Sequence, residues 1–133
     1  MIVYVLPRRQ QTIMKIHRQL SKVQQEIKAP KGQRNNFGKY SYRSCEDILE
    51  AAKKVLGDLS LTITDEIVLI GDRFYVKATS TISNVDGESV SATAFARESE
   101  EKKGMDAAQV TGASSSYARK YSLNGLLGID NTD

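Results

Sequence analysis

Arg119 and Lys120 stand between Tyr117 and Tyr121 in the run GMDAAQVTGASSSYARKYSLNGLLGID, residues 104–130, which is rich in small side chains. A second mixed stretch, APKGQRNNFGKYSYR, carries Lys31, Arg34, Lys39 and Arg43 among Phe37, Tyr40 and Tyr42. Cations that neutralise phosphate, alternating with rings that stack on unpaired bases, suit binding of a single-stranded nucleic acid. Aromatic anchors that merely dock a loop would explain the second stretch equally simply. Neither segment carries a recognisable enzyme motif. His17 is the only histidine, and it lies far in sequence from the only cysteine, Cys45. A Cys45 thiol near the start of a helix reads as structural rather than nucleophilic. There is no GxxxxGK[ST] phosphate loop and no clustering of His, Asp and Glu suited to a metal nuclease, so the chain is not expected to be an enzyme or to need a cofactor.

Charge is unevenly distributed. Residues 1–43 hold ten Lys and Arg against Glu26 alone, a net +9, whereas residues 44–133 hold nine basic and fifteen acidic groups, a net −6. The basic third can meet phosphates, and the acidic remainder can meet the basic third of a neighbouring copy. A single cysteine excludes an internal disulfide and suits a reducing cytoplasm. The opening MIVYVLPRRQQTI places its basic residues after the apolar run, the reverse of an export signal.

The elements that must position these residues follow from periodicity. One domain is expected for 133 residues, spanning residues 14–133, with residues 1–13 as an extension that is disordered or forms a small added strand. Ile16, Leu20, Val23 and Ile27 recur along one face of a helix expected from Met14 to Lys28, ended by Pro30. A cationic loop with part of a short strand follows. Ser44 and Asp47 form a capping box for a second helix, with Ile48, Leu49, Ala52, Val55 and Leu56 as its buried stripe and Gly57 as its C-terminal cap.

Three strands can be registered in advance. A tight Gly71-Asp72 turn pairs Ile70 with Arg73, Leu69 with Phe74, Ile67 with Val76 and Leu61 with Ile82. A three-residue loop with Gly87 in the left-handed region pairs Ile82 with Val90, Ser80 with Ala92, Ala78 with Ala94 and Val76 with Ala96, so small residues leave room for a covering helix. The opposite face then carries Tyr75 beside Arg97 and Lys77 between Glu66 and Phe95. That face either stacks bases or pairs Lys77 with Glu66 beneath a covering helix or subunit. In the last helix Val110, Ala113, Tyr117 and Tyr121 follow the 3.6-residue repeat, Gly112, Ser115, Ser116 and Arg119 form a small polar strip beside them, and Asn124-Gly125 is expected to close it. The fold class is therefore α+β: an antiparallel three-stranded meander packed by helices, a β-β-β-α core with an extra N-terminal helix.

The blocks KVQQEIKAPKGQRNNFGKYSYRSCEDILEAAKKVL, DEIVLIGDRFYVKATSTI and KKGMDAAQVTGASSSYARKYSLNGLLGID resemble the Erf (essential recombination function) family of phage single-strand annealing proteins. The likeness spans about Leu20 to Asp130. It is most specific from Gly112 to Leu127 and in the Tyr-x-Tyr-Arg-Ser block at Tyr40 to Ser44. The resemblance implies a phage or prophage protein of the bacterial host cytoplasm that binds single-stranded DNA, anneals complementary strands without ATP and assembles into rings or short helical oligomers. It also implies a likeness in fold to eukaryotic annealing mediators, whose groove takes basic residues from the helix after the meander. By that analogy Arg119 and Lys120 face the groove, and Tyr40, Tyr42 and Arg43 lie near it. With the residue reading, the expected DNA contacts are Lys31, Arg34, Lys39, Tyr40, Tyr42, Arg43, Tyr75, Lys77, Arg97, Lys102, Lys103, Arg119 and Lys120. Contact with a host single-strand binding protein is expected where a charged tail follows this region, and no membrane association is expected. The alternative is an interaction or regulatory domain without annealing activity.

Overall fold

A computed structural model describes residues 8–98 and 107–129. Helix α1 spans Arg8–Glu26, starting six residues before the expected Met14 and stopping two before Lys28. Its buried face is the one its spacing specifies: Ile16, Leu20 and Val23 are buried, and Ile27 packs against the same core. The cationic loop is more ordered than its composition suggests. It forms a small hairpin of β1 (Gln33–Asn35) and β2 (Tyr40–Tyr42), with Gln33 opposite Tyr42 and Asn35 opposite Tyr40. The turn is fastened by Asn35, whose Oδ1 accepts from the backbone N–H groups of Phe37 and Gly38 at 2.9 and 3.0 Å.

Helix α2 spans Cys45–Lys53 and begins with the expected capping box. Ser44 Oγ accepts from the Asp47 N–H, and Asp47 Oδ2 accepts from the Ser44 N–H at 2.9 Å. The bond from the Ser44 backbone N–H is the largest influence holding the Asp47 carboxyl below its ordinary value. The C-terminus differs from expectation. The helix stops at Lys53, and Gly57 takes its left-handed φ of 58° in the turn leading to the sheet.

Strands β3 (Ser60–Ile70), β4 (Arg73–Ser83) and β5 (Ser89–Arg97) form an antiparallel sheet in that order, with every expected pairing present. Gly71 takes φ 64° in the first turn and Gly87 φ 86° in the second. In the second loop the Gly87 N–H donates to the Asn84 carbonyl at 3.1 Å and the Asn84 N–H to the Glu88 carbonyl at 3.0 Å, the closure of a three-residue loop.

Helix α3 (Ala107–Leu127) lies across the sheet, with α1 and α2 packed beside it. The main core joins Ile16, Leu20 and Val23 to Ile48, Ala52, Ile82, Leu123, Leu126 and Leu127. Farther along, Ala118 meets Val76, Ala78 and Ala96. Here the seam of α3 corrects the expected apolar row. Val110, Ser114, Ala118 and Ser122 are the buried positions, whereas Tyr117 and Tyr121 lie on an exposed flank. The alanine-rich β5 and the Val76, Ala78 and Ser80 row bring sheet and helix too close for a tyrosine between them. Ser80 and Ser122 satisfy each other inside that seam, with their hydroxyl oxygens 2.6 Å apart. The helix also outruns the expected Asn124-Gly125 stop. Gly128, at φ 68°, ends it, and the Ile129 N–H donates to the Asn124 carbonyl at 3.0 Å in a Schellman closure.

Candidate nucleic-acid interface

The capping box of α2 and the β1–β2 hairpin set one wall of a groove, and the exposed flank of α3 sets the other. Its volume is about 440 Å³, and Tyr42, Cys45 and Glu46 face Ser116, Tyr117, Lys120 and Tyr121 across it. Lys120 Nζ is 5.7 Å from the centroid of the Tyr42 ring, a cation–π distance that joins two segments far apart in sequence. Tyr117 and Tyr121, one turn apart, hold their rings nearly parallel at 17° with centroids 6.4 Å apart.

Arg43 is a wall element rather than a surface cation. It is buried, and its Nε donates to the carbonyl oxygen of Ala29, fastening the segment before the hairpin to the segment after it. It also lines an adjoining groove of about 650 Å³, with Gln24, Lys28, Lys31 and Ser41. Partial burial, then the charges of Arg43 and Lys31, push the Lys120 amine below its ordinary value. Three cations from the post-α1 segment, the end of β2 and α3 therefore act on one another through a partly desolvated space. Such a site gains free energy when an anion enters.

Arg119, half-buried, has its Nε enclosed without an acceptor. Its charge acts on Cys45, lowering a thiol pKa that is raised on balance, first by burial and then by Glu46. Cys45 is thus a buried wall residue, as its reading as a structural thiol requires.

The other expected contacts do not all meet here. Arg34 is exposed on β1 and pairs with Ser41, so it shares the hairpin face of the second groove rather than the face of Asn35 in the first. Lys39 is exposed in the hairpin turn at φ 53°, and Tyr40 pairs with Asn35 at the start of β2. Tyr75, Lys77 and Arg97 lie on the sheet face away from α3, where Tyr75 is opposite Arg97 and Lys77 Nζ is 3.8 Å from Glu66 Oε1. Phe95, expected beneath a helix or another subunit, is half-exposed, because all three helices pack on the opposite side of the sheet. Lys102 and Lys103 lie outside the described residues. Lys28, Tyr117 and Tyr121, absent from the expected contacts, line the grooves. The sequence signal for the tyrosines was their spacing of four residues, interleaved with Ser116 and Lys120 at the same spacing.

Among the described residues no group of His, Cys, Asp and Glu could hold a metal ion, and no helix is long and apolar enough to cross a membrane. The groove's chemistry is that of charge and aromatic surface. The family model of the ERF superfamily matches residues 16–133, which covers α1 from Ile16, the hairpin, α2, the sheet and α3. The chain belongs to the ERF superfamily. Within it, the chain is 70% identical over 112 residues to the "Essential recombination function protein" of Salmonella phage P22, covering 84% of this chain and 54% of that relative. The chain thus spans about half the length of the curated relative it matches. No solved structure matches it. ERF membership covers every element that builds the two grooves.

Proposed function

We propose that this chain binds single-stranded DNA along the joined grooves and anneals complementary strands without ATP, as part of homologous recombination in a phage or prophage. The observation that carries this reading is Lys120 beside Tyr42 in a groove that shares Arg43 with the groove of Lys31, its amine depressed first by burial and then by the charges of Arg43 and Lys31. Charges that repel one another in the free protein are relieved by phosphate, so affinity should fall steeply with salt. The family and the name of the phage P22 relative support a recombination role.

Annealing breaks no bond, so the protein acts by holding a strand rather than as an enzyme, and it needs no cofactor. A single groove is a weak site. Repeated copies in a ring or short helical homo-oligomer would add their affinities along one strand, in the host cytoplasm where the DNA and the host single-strand binding protein are found. Tyr75, Lys77 and Arg97 lie across the sheet from these grooves, so on one protomer they do not share the strand that Lys120 holds.

A second reading rests on a different surface. Ile67, Leu69, Ile70 and Phe74 at the far end of the β3–β4 hairpin are each more than half exposed, which suits an interaction domain that docks a protein partner there. A nucleotide-free annealing assay with complementary oligonucleotides, run across a salt series and accompanied by electron microscopy, separates the two. Annealing that weakens with salt supports the groove, and absence of oligonucleotide binding at low ionic strength removes it in favour of the interaction domain.

A further inference from the structure

The tyrosine pair on α3 lies outside the seam between helix and sheet. The seam against the sheet is made by Val110, Ser114, Ala118 and Ser122, and the tyrosines stand beside it, Tyr117 at 54% and Tyr121 at 48% exposure. Their rings are nearly parallel and open to a groove that also contains Lys120 and Tyr42. We infer that Tyr117 and Tyr121 form a base-stacking subsite that takes the faces of two successive unpaired bases of a single strand. This rests on the groove reading and adds to it which part of the strand points inward.

Three features favour bases over other occupants. Lys120 lies in the groove between the two rings in sequence, so a phosphate held by its amine brings the attached bases against the tyrosines. Lys120 lies in this groove and Arg43 lines it as well, and their positive charge favours an occupant that carries negative charge over an apolar one. A ring face also accepts any base, so the subsite is indifferent to sequence. Stacking engages the face of a base and leaves its hydrogen-bonding edge in solvent, which is the edge a complementary strand must test.

The test compares the full chain's affinity for a short homopyrimidine oligonucleotide with that for an abasic deoxyribose-phosphate chain of equal length. Wild type should bind the abasic chain about tenfold more weakly or worse. The double variant Tyr117→Leu with Tyr121→Leu should lose a similar factor on the oligonucleotide and little on the abasic chain, whereas Tyr117→Phe with Tyr121→Phe should keep wild-type discrimination. Equal wild-type affinity for the two chains overturns the stacking subsite while leaving groove binding intact. A leucine variant that changes the oligomer's mass yet keeps the discrimination also overturns it, since the tyrosines would then be a contact between copies. Wild type that binds neither chain removes the groove reading itself. The first comparison needs no variant, so a misfolded mutant cannot decide the outcome.

Discussion

The two faces of the β3–β4–β5 sheet use similar residue types to opposite ends. On the open face Lys77 lies near Glu66, Tyr75 is opposite Arg97, and the Thr81 and Ser91 hydroxyl oxygens are 2.7 Å apart, so charge and polarity are largely balanced locally. On the α3 side, Lys31, Arg43 and Lys120 from three segments line two adjoining grooves, and the Lys120 amine is depressed first by burial and then by the charges of the other two. Lys77 has a carboxylate oxygen at 3.8 Å, whereas Lys120 is partly buried with Arg43 and Lys31 acting on it, so the location of Lys and Arg matters more than their number.

The largest expected difference between the faces is in stability. Leu123, on the sheet-facing side of α3, is fully buried, whereas Phe95 on the open face is half-exposed. Leu123→Ala should cost about 3 kcal/mol by urea denaturation and Phe95→Ser no more than about 0.5 kcal/mol. A large loss at Phe95 would show that the open face is covered in solution. Charge reversal comes next. Lys120→Glu should weaken oligonucleotide binding by about 100-fold at low salt, and Lys77→Glu by less than about threefold, measured by fluorescence anisotropy. The reverse order would move the DNA to the open face.

A smaller effect concerns the groove wall set by α2. Ser44→Ala removes the cap and should cost about 1 kcal/mol of stability. Asp47 shares that cap with a depressed pKa, so its contribution is present above the ordinary carboxylate range and is lost as pH falls through the folded-state value. Asp47→Asn should flatten the acid limb of a thermal melting series, whereas Ser44→Ala, which keeps the backbone donor to Asp47, should leave most of it.

The smallest effect is a sign test on Lys120. Its folded pKa lies below its unfolded one, so Lys120 makes stability rise as pH climbs from the folded value towards the unfolded value. DNA binding should fall over the same window, because phosphate needs the charged amine. Lys120→Arg should abolish that alkaline fall in binding, and a fall unchanged in the variant would assign it to another group.

The sequence by itself determined the sheet and the starts of its neighbours. Alternation along β3, β4 and β5 with glycines at both turns admits one register, since a slip by one residue turns the core side chains of a strand to the wrong face. The Ser44-Asp47 cap and the Ile16-Leu20-Val23 spacing are likewise local signals. Tertiary structure alone decided which flank of α3 is buried. Alanine and serine carry too little hydrophobic contrast to mark a face, and only the close approach of an alanine-lined sheet excludes the tyrosines from the seam. It also decided where α3 stops, because both Gly125 and Gly128 suit a helix end locally, yet only Gly128 takes the left-handed turn. The meeting of Lys31, Arg43 and Lys120 was invisible for a simpler reason: charges far apart along a chain interact only after the fold brings them through a shared, partly desolvated space.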